Sequence, residues 1–272
     1  MRTPRRRRPT LALGIAAALC AAVPALAEPI EGGALPALQP ALRAARTGEV
    51  IGTSVQGRPI SAQTIGDGPV RVYVIGSIHG DEPESLRALD AMIESLEGRI
   101  GELSASVRIV RDANPDGTAA GRRTNARGVD LNRNWPASNH TAHARYGDAP
   151  LSEPETAAVH RDLTAFDPHL ILALHSAGSG PFVDPDGPGE AAAHGFVRAA
   201  KRTDARWYYH PDFTNPAGSL GSYLGLDRGA AVLTVEFRRG DTPEVVAPAL
   251  AEGILGAITA HRDEGRTRGA ML

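Results

Sequence analysis

A chain of 272 residues, 42% hydrophobic and 22% charged, is long enough for one sizeable α/β domain or two small ones. Its formal net charge of −2 argues against nucleic acid as the main partner. With one cysteine, Cys20, and one lysine, Lys201 in an ordinary helical run, a disulfide framework is excluded and thiol, Schiff-base and Ser/Lys chemistries are set aside.

Residues 1–27 read as an export signal. Arg2 and residues 5–8 form a basic head, residues 11–23 an apolar middle, and Ala25-Leu26-Ala27 a cleavage site before Glu28. The apolar run is too short for a comfortable membrane span, so cleavage after Ala27, no stable membrane anchor, and a periplasmic or secreted location are expected. Cleavage removes Cys20 and five Arg, which takes the net charge from −2 to about −7. Residues 28–49, rich in Ala, Pro and Leu, read as a linker or leading segment, and residues 50–272 as one catalytic domain.

Within that domain, residues 50–55 and 59–65 read as two short strands joined at Gln56-Gly57-Arg58. Residues 70–77 form a buried strand rich in β-branched side chains. It leads into His79-Gly80-Asp81-Glu82-Pro83, where the Pro suits the first turn of a helix. Residues 85–96 have the apolar spacing of an amphipathic helix, and residues 106–111 are a strand closed by the turn Asn114-Pro115-Asp116-Gly117. Regular periodicity then vanishes over residues 118–150, a length that in a compact domain is usually functional. Helices are predicted over 153–166 (opened by Ser152-Glu153-Pro154-Glu155), 190–202, 219–226 and 243–262. Further strands are predicted over 170–174, 207–209 and 230–235. Strands alternating with helices predict a single α/β domain whose mixed, mostly parallel sheet is flanked by helices.

Three of these apolar strands are followed at once by a polar residue with chemistry: Ile78 precedes His79, Leu174 precedes His175, and Val235 precedes Glu236. In open α/β sheets, sites gather at the carboxyl ends of strands. Imidazole and carboxylate are both zinc donors, and catalytic zinc usually takes three protein ligands. His79 and Glu82 supply two, and His175 is the natural third, for one zinc ion per chain. Glu236 would lie beside the metal as a base for its water. The irregular segment contributes Arg122, Arg123, Arg127, Asn132 and Arg133, donors suited to a substrate carboxylate or an oxyanion. Asp130 is a candidate to orient a zinc histidine through its other ring nitrogen.

Taken in order, His79-x-x-Glu82, Asn114-Pro-Asp-Gly117, Arg123-x-Asn125, Gly128-Val-Asp-Leu-Asn-Arg-Asn-Trp135, Ser152-Glu-Pro-Glu-Thr156, His175-Ser176 and Thr234-Val-Glu236 resemble the zinc carboxypeptidase A family. Gln56-Gly57-Arg58-Pro59-Ile60 also fits. The His-Gly-Asp-Glu wording and Gly218-Ser-Leu-Gly-Ser222 are most similar to its bacterial murein peptide amidase branch. The resemblance implies a carboxypeptidase-like fold with zinc on His79, Glu82 and His175. Glu236 would activate water and shuttle its proton, Arg123 would polarise the scissile carbonyl, and Asn132 with Arg133 would hold the substrate's terminal carboxylate. The implied reaction is hydrolysis of an amide bond next to a free carboxylate in peptides or murein peptides, between γ-D-glutamyl and diaminopimelate in the amidase branch. The family's usual mobile Tyr has no counterpart, Phe213 standing nearest its place, and the family's pocket-selectivity position falls near Leu220.

Three other readings compete: a general metallocarboxypeptidase, an N-acyl amino acid deacylase of the aspartoacylase or succinylglutamate desuccinylase type, and an inactive binding module on the same fold. Asn114-Pro-Asp-Gly and Ser152-Glu-Pro-Glu-Thr favour the peptidase over the deacylase, and the full set His79, Glu82, His175 and Glu236 weighs against a silent module.

Overall fold

A computed structural model describes residues 48–270, apart from 212, 214 and 215. The expected signal and most of the expected linker therefore lie outside the described residues. Eight strands form one mixed sheet: β1 (Glu49–Thr53), β2 (Pro59–Ile65), β3 (Val70–Ile75), β4 (Ala105–Val110), β5 (Leu170–Ala177), β6 (Phe182–Asp186), β7 (Tyr208–Tyr209) and β8 (Ala231–Arg238). Their spatial order is β1-β2-β4-β3-β5-β8-β6-β7. The central run β4-β3-β5-β8 is parallel, whereas β1/β2, β2/β4 and β6/β8 pair antiparallel.

The period-2 alternation of the central strands divides the apolar residues between the two faces of the sheet. Val72 and Val74 of β3, Leu170, Leu172 and Leu174 of β5, and Leu233, Val235 and Phe237 of β8 belong to one core. Tyr73 and Ile75, Ile171 and Ala173, and Val232 belong to the other. The first core is covered by the helices α1 (Pro83–Glu97), α4 (Glu190–Ala200) and α5 (Pro243–Ala270), whose Leu89, Phe196 and Ile254 are fully buried there. The second core is covered by α3 (Pro154–Phe166), by a π-helical turn over Gly221–Asp227, and by residues of the long irregular segment such as Leu131 and Trp135. Helix α5 is long and apolar enough to cross a membrane by composition, but Leu250, Ile254 and Ile258 are spent on the core.

Four expectations need correction. β5 and β8 do not stop at Leu174 and Val235 but run on to Ala177 and Arg238, so His175 and Glu236 sit inside strands and are register partners across the ladder. Asn114-Pro-Asp-Gly is not a turn. The Asn114 side chain accepts from the Gly117 N–H at 3.0 Å and caps α2 (Pro115–Ala120), with Pro115 in its first turn. Helix α3 begins at Pro154 with Glu153 as its cap residue and without a side-chain capping bond, because Ser152 accepts from Asn134 instead. Finally, β6 was not expected at all. Its sequence Phe-Val-Asp-Pro-Asp lacks an apolar alternation, and it is a strand because it pairs with β8 from Phe182↔Glu236 to Asp186↔Val232.

Candidate active site

The loop after β3 is tightly built. Ser77 adopts a left-handed conformation (φ 50°), uncommon for a residue with a side chain, and its N–H donates to Ser85 Oγ at 3.1 Å. Gly80 packs so closely on the Gly117–Thr118 backbone of α2 that a Cβ would not fit. Asn114 Nδ2 donates to the Ile78 carbonyl at 3.2 Å and locks the same approach. This turn delivers His79 and then Glu82, the cap residue of α1, to the carboxyl edge of the sheet.

His79 Nδ1 lies 3.0 Å from Glu82 Oε1 and 3.1 Å from His175 Nδ1, and His175 Nδ1 lies 3.1 Å from Glu82 Oε2. All three residues are buried, and one donor atom from each lies within 4.8 Å of the others. Two imidazole nitrogens facing each other with a carboxylate alongside form a set of lone pairs aimed at one point. That is the donor set of a zinc site, not of an apolar core. His79 is fixed for this role from behind: its Nε2 lies 3.0 Å from Asp130 Oδ1, which also accepts from the Asn132 N–H at 3.0 Å. Arg123 Nε donates to Asp130 Oδ2 at 2.9 Å, and Arg123 Nη1 reaches Glu82 Oε1 at 3.3 Å.

The electrostatics follow from these contacts. Burial opposes charge on His79, but its bonds to Asp130 and Glu82 win and raise its pKa. Burial likewise opposes ionisation of Glu82 and Asp130, yet the histidines hold both carboxylates below their ordinary range. Glu236 is different. It is 8% exposed, its Oε2 has no hydrogen-bond partner among the described residues, and burial pushes its pKa up. A buried carboxylate without a partner is destabilising, which is a reason to look for its use in chemistry.

A cavity of about 300 Å³ is lined by His79, Glu82, Arg123, Asn132, Arg133, His175 and Glu236 together. Every residue expected to touch metal or substrate thus opens onto one space, with Asp130 behind it. Asn132 is oriented by the Leu220 N–H, which donates to Asn132 Oδ1 at 3.0 Å, and Arg133 Nη1 donates to the Asn132 carbonyl at 2.7 Å. Of the other arginines in the loop, Arg122 is exposed and Arg127 turns to Glu153 at 3.5 Å.

A family model for zinc carboxypeptidases (Peptidase M14) matches residues 44–186, more than half of the chain. The chain belongs to that family. Murein peptide amidase A of Escherichia coli K12 is 34% identical over 121 residues, covering 38% of this chain and 47% of the relative, so the aligned region spans about half of that protein. The crystal structure of a murein-tripeptide amidase from Escherichia coli O157 superposes with a TM-score of 0.57 at 25% identity, covering 77% of this chain and 91% of that one. Carboxypeptidase A of Helicoverpa armigera shares the fold, with a TM-score of 0.65 at 19% identity over 85% of this chain and 71% of that one. The α/β architecture is therefore that of carboxypeptidase A, and the chain is an M14-family member whose His79, Glu82 and His175 have the geometry of a metal site.

Several motif residues of this M14 peptidase brace the site instead of lining it. Asn125 Nδ2 donates to Glu153 Oε2 at 2.7 Å and to Glu155 Oε2 at 3.2 Å. Asn134 Nδ2 holds the carbonyls of Tyr146 and Ala149 at 2.9 and 3.0 Å. Asp116 receives Ser54 Oγ and the Gln56 N–H, docking the β1–β2 hairpin. The pocket expectation at Leu220 is corrected: this side chain is 1% exposed and packed in the second core. Phe213 does line the cavity and, among the described residues, no tyrosine does; Tyr223 instead lies 3.1 Å from His160 and stacks on Trp135. Two charged lining residues escaped the sequence reading, Arg239 and Asp186. Arg239, four residues beyond the expected end of β8, donates to the carbonyls of Asp81 and Ser176 at 3.2 and 3.4 Å. Asp186 lines the cavity too, and the strand carrying it had no periodic signal.

Proposed function

We propose that this protein is an exported zinc amidase that hydrolyses the bond between γ-D-glutamate and diaminopimelate in murein peptides. The observation that carries the hydrolytic part is the single cavity joining the buried donors of His79, Glu82 and His175 to the unpartnered Glu236 and to Asn132 and Arg133. Similarity to two murein amidases and the basic, apolar N-terminus favour murein fragments over dietary or cytosolic peptides.

His79, Glu82 and His175 would hold the zinc, which supplies Lewis acidity toward the scissile carbonyl and the attacking water. Glu236, raised by burial, takes the water's proton and returns it to the departing amine. Arg123, on the same wall, offers a fixed positive charge where the carbonyl oxygen gains negative charge. Asn132 and Arg133 bind the carboxylate of the leaving residue and so set which bond meets the metal.

The test is mass spectrometry of products after incubating purified zinc-loaded protein with L-Ala-γ-D-Glu-meso-diaminopimelate and, separately, with ordinary peptides. Release of free diaminopimelate from the tripeptide is expected. An intact tripeptide beside trimmed C-terminal residues would establish a general carboxypeptidase instead. Amino-terminal sequencing of protein recovered from the periplasm or medium should begin at Glu28.

A further inference from the structure

The cavity holds an arginine that the proposed hydrolysis does not use. Arg239 follows β8, lines the same space as the metal donors, and has a side chain that is 46% exposed. It stands second in the turn at residues 238–241, which the Asp241 N–H closes on the Arg238 carbonyl at 3.1 Å. Gly240 takes the next position with φ 90°, a left-handed conformation that favours glycine. A buried acid anchors this turn. Glu84 Oε1 accepts from the Gly240 N–H at 2.7 Å, and Glu84 Oε2 accepts from Ser176 Oγ at 2.6 Å. The guanidinium is aimed by two carbonyls, Asp81 on Nη1 and Ser176 on Nη2. The carboxylates of Asp81 and Glu82 stand at 3.7 and 3.6 Å, within ion-pair range but beyond hydrogen-bond reach. The other guanidinium N–H groups have no acceptor among the described residues. A cation is thus fixed in place with donors left for a group that enters the cavity.

The sheet decides which end of a substrate Arg239 can meet. Asn132 and Arg133 follow Leu131 of the second core, and Asn132 is bonded to Leu220 of that same core. Arg239 is tied through Gly240 to α1, which covers the first core. The two sets of donors therefore enter the cavity from opposite faces of the sheet: Asn132 approaches the metal donors at His175, Arg239 at Glu82. We infer that Arg239 determines specificity on the acyl side, binding a carboxylate carried by the residue that supplies the scissile carbonyl. This rests on the proposed reading in that Asn132 and Arg133 hold the leaving residue. A glutamate joined through its γ-carboxyl keeps its α-carboxylate free, a few bonds from the scissile carbonyl. An α-linked glutamate presents its side-chain carboxylate at the same number of bonds. Amidation of either group removes the charge and brings N–H donors to a site already made of N–H donors, so the amide should be rejected.

The experiment compares kcat/KM within two substrate pairs, using zinc-loaded wild type, Arg239→Lys and Arg239→Gln. The first pair is L-Ala-γ-D-Glu-diaminopimelate and the same tripeptide with its glutamate α-carboxyl amidated. The second is a pair of α-linked peptides with glutamate or glutamine before the scissile bond. The wild type should favour the carboxylate over the amide by about tenfold, mostly in KM, as expected for a charge-assisted pair. Arg239→Gln should bring the ratio to within about twofold, and Arg239→Lys, which keeps the charge but not the paired donors, should fall between. The wild-type ratio should also shrink at high salt, which a merely bracing role would not produce. If only α-linked peptides are cleaved, with a glutamate preference that Arg239→Gln abolishes, the inference stands and the amidase reading fails. Equal use of both members of whichever pair is cleaved overturns the inference, and cleavage of the tripeptide would then still uphold the amidase reading. A ratio that survives in Arg239→Gln, with both substrates slowed alike, also overturns it and leaves Arg239 a brace of the Asp81 loop.

Discussion

His79 and Asp130 are joined through the ring nitrogen that does not face the metal donors: Nε2 to Oδ1, 3.0 Å, with both side chains buried. The contact decides the tautomer. With the proton held on Nε2, the lone pair of Nδ1 turns toward Glu82 and His175. Asp130 in turn is held by Arg123 and the Asn132 N–H, so the metal site and the substrate-facing segment share one carboxylate. Asp130→Asn should therefore weaken zinc affinity by about 10–100-fold. Competition against a chromogenic chelator measures this directly, and activity should return at higher zinc.

Glu236→Gln separates chemistry from metal binding. Turnover should fall by roughly 10²–10⁴-fold with zinc stoichiometry unchanged, since Glu236 is not one of the three clustered donors. The variant should also be no less stable than the wild type, because a buried carboxylate with an unpartnered oxygen is replaced by a neutral amide. Thermal melts together with metal analysis check both parts.

Removing the metal should be felt in stability. His79, Glu82 and His175 turn lone pairs toward one point, and a cation that binds only the folded chain stabilises it by mass action. At a hundredfold excess of zinc over its dissociation constant the gain is about 2.7 kcal/mol. Tm should fall on chelation and recover on zinc addition, and magnesium, which prefers an all-oxygen shell, should not substitute.

Asp186 gives a pH signature of defined sign. Burial, with Asp184 beside it, pushes its pKa to about 7 from an ordinary value of 3.8. Its nearest neighbours Val232 of β8 and Gly221 and Gly225 of the π-helical turn are uncharged, while Glu236 of β8 lines the same cavity and Asp227 ends the turn. The folded state thus holds a proton that the unfolded state has released between about pH 4 and pH 7. Stability should fall as pH rises through that window, and Asp186→Asn should flatten the fall by roughly 1–3 kcal/mol. Melting curves at pH 5, 7 and 8 test the trend.

Much of the site's composition was legible in the sequence because its residues sit beside strongly patterned strands. The β-branched run of β3 pointed to His79 and Glu82, and the apolar runs before His175 and Glu236 pointed to those two. What misled was the assumption that a polar residue ends a strand. His175 and Glu236 are tolerated inside the ladder because sheet pairing uses only backbone groups, and their side chains face a cavity. Strand β6 was invisible for a related reason: Asp184, Pro185 and Asp186 have poor strand preference, and only pairing with β8 makes them one. Asp186 was missed along with its strand. The capping role of Asn114 was hidden because Asn-Pro-Asp-Gly satisfies the rules for a turn and for a helix start equally well.

The register pairing of His175 with Glu236 has a consequence for how this molecule can change. One residue of the His-Glu-His cluster and the proposed general base are stitched to each other by the backbone of two central strands, and their spacing is set by the ladder. The cavity-lining Asn132, Arg133 and Asp186 hang from an irregular segment and from a strand nearer the sheet edge. Insertions or exchanges in those outer parts can therefore reshape the cavity wall while the spacing of His175 and Glu236 stays fixed.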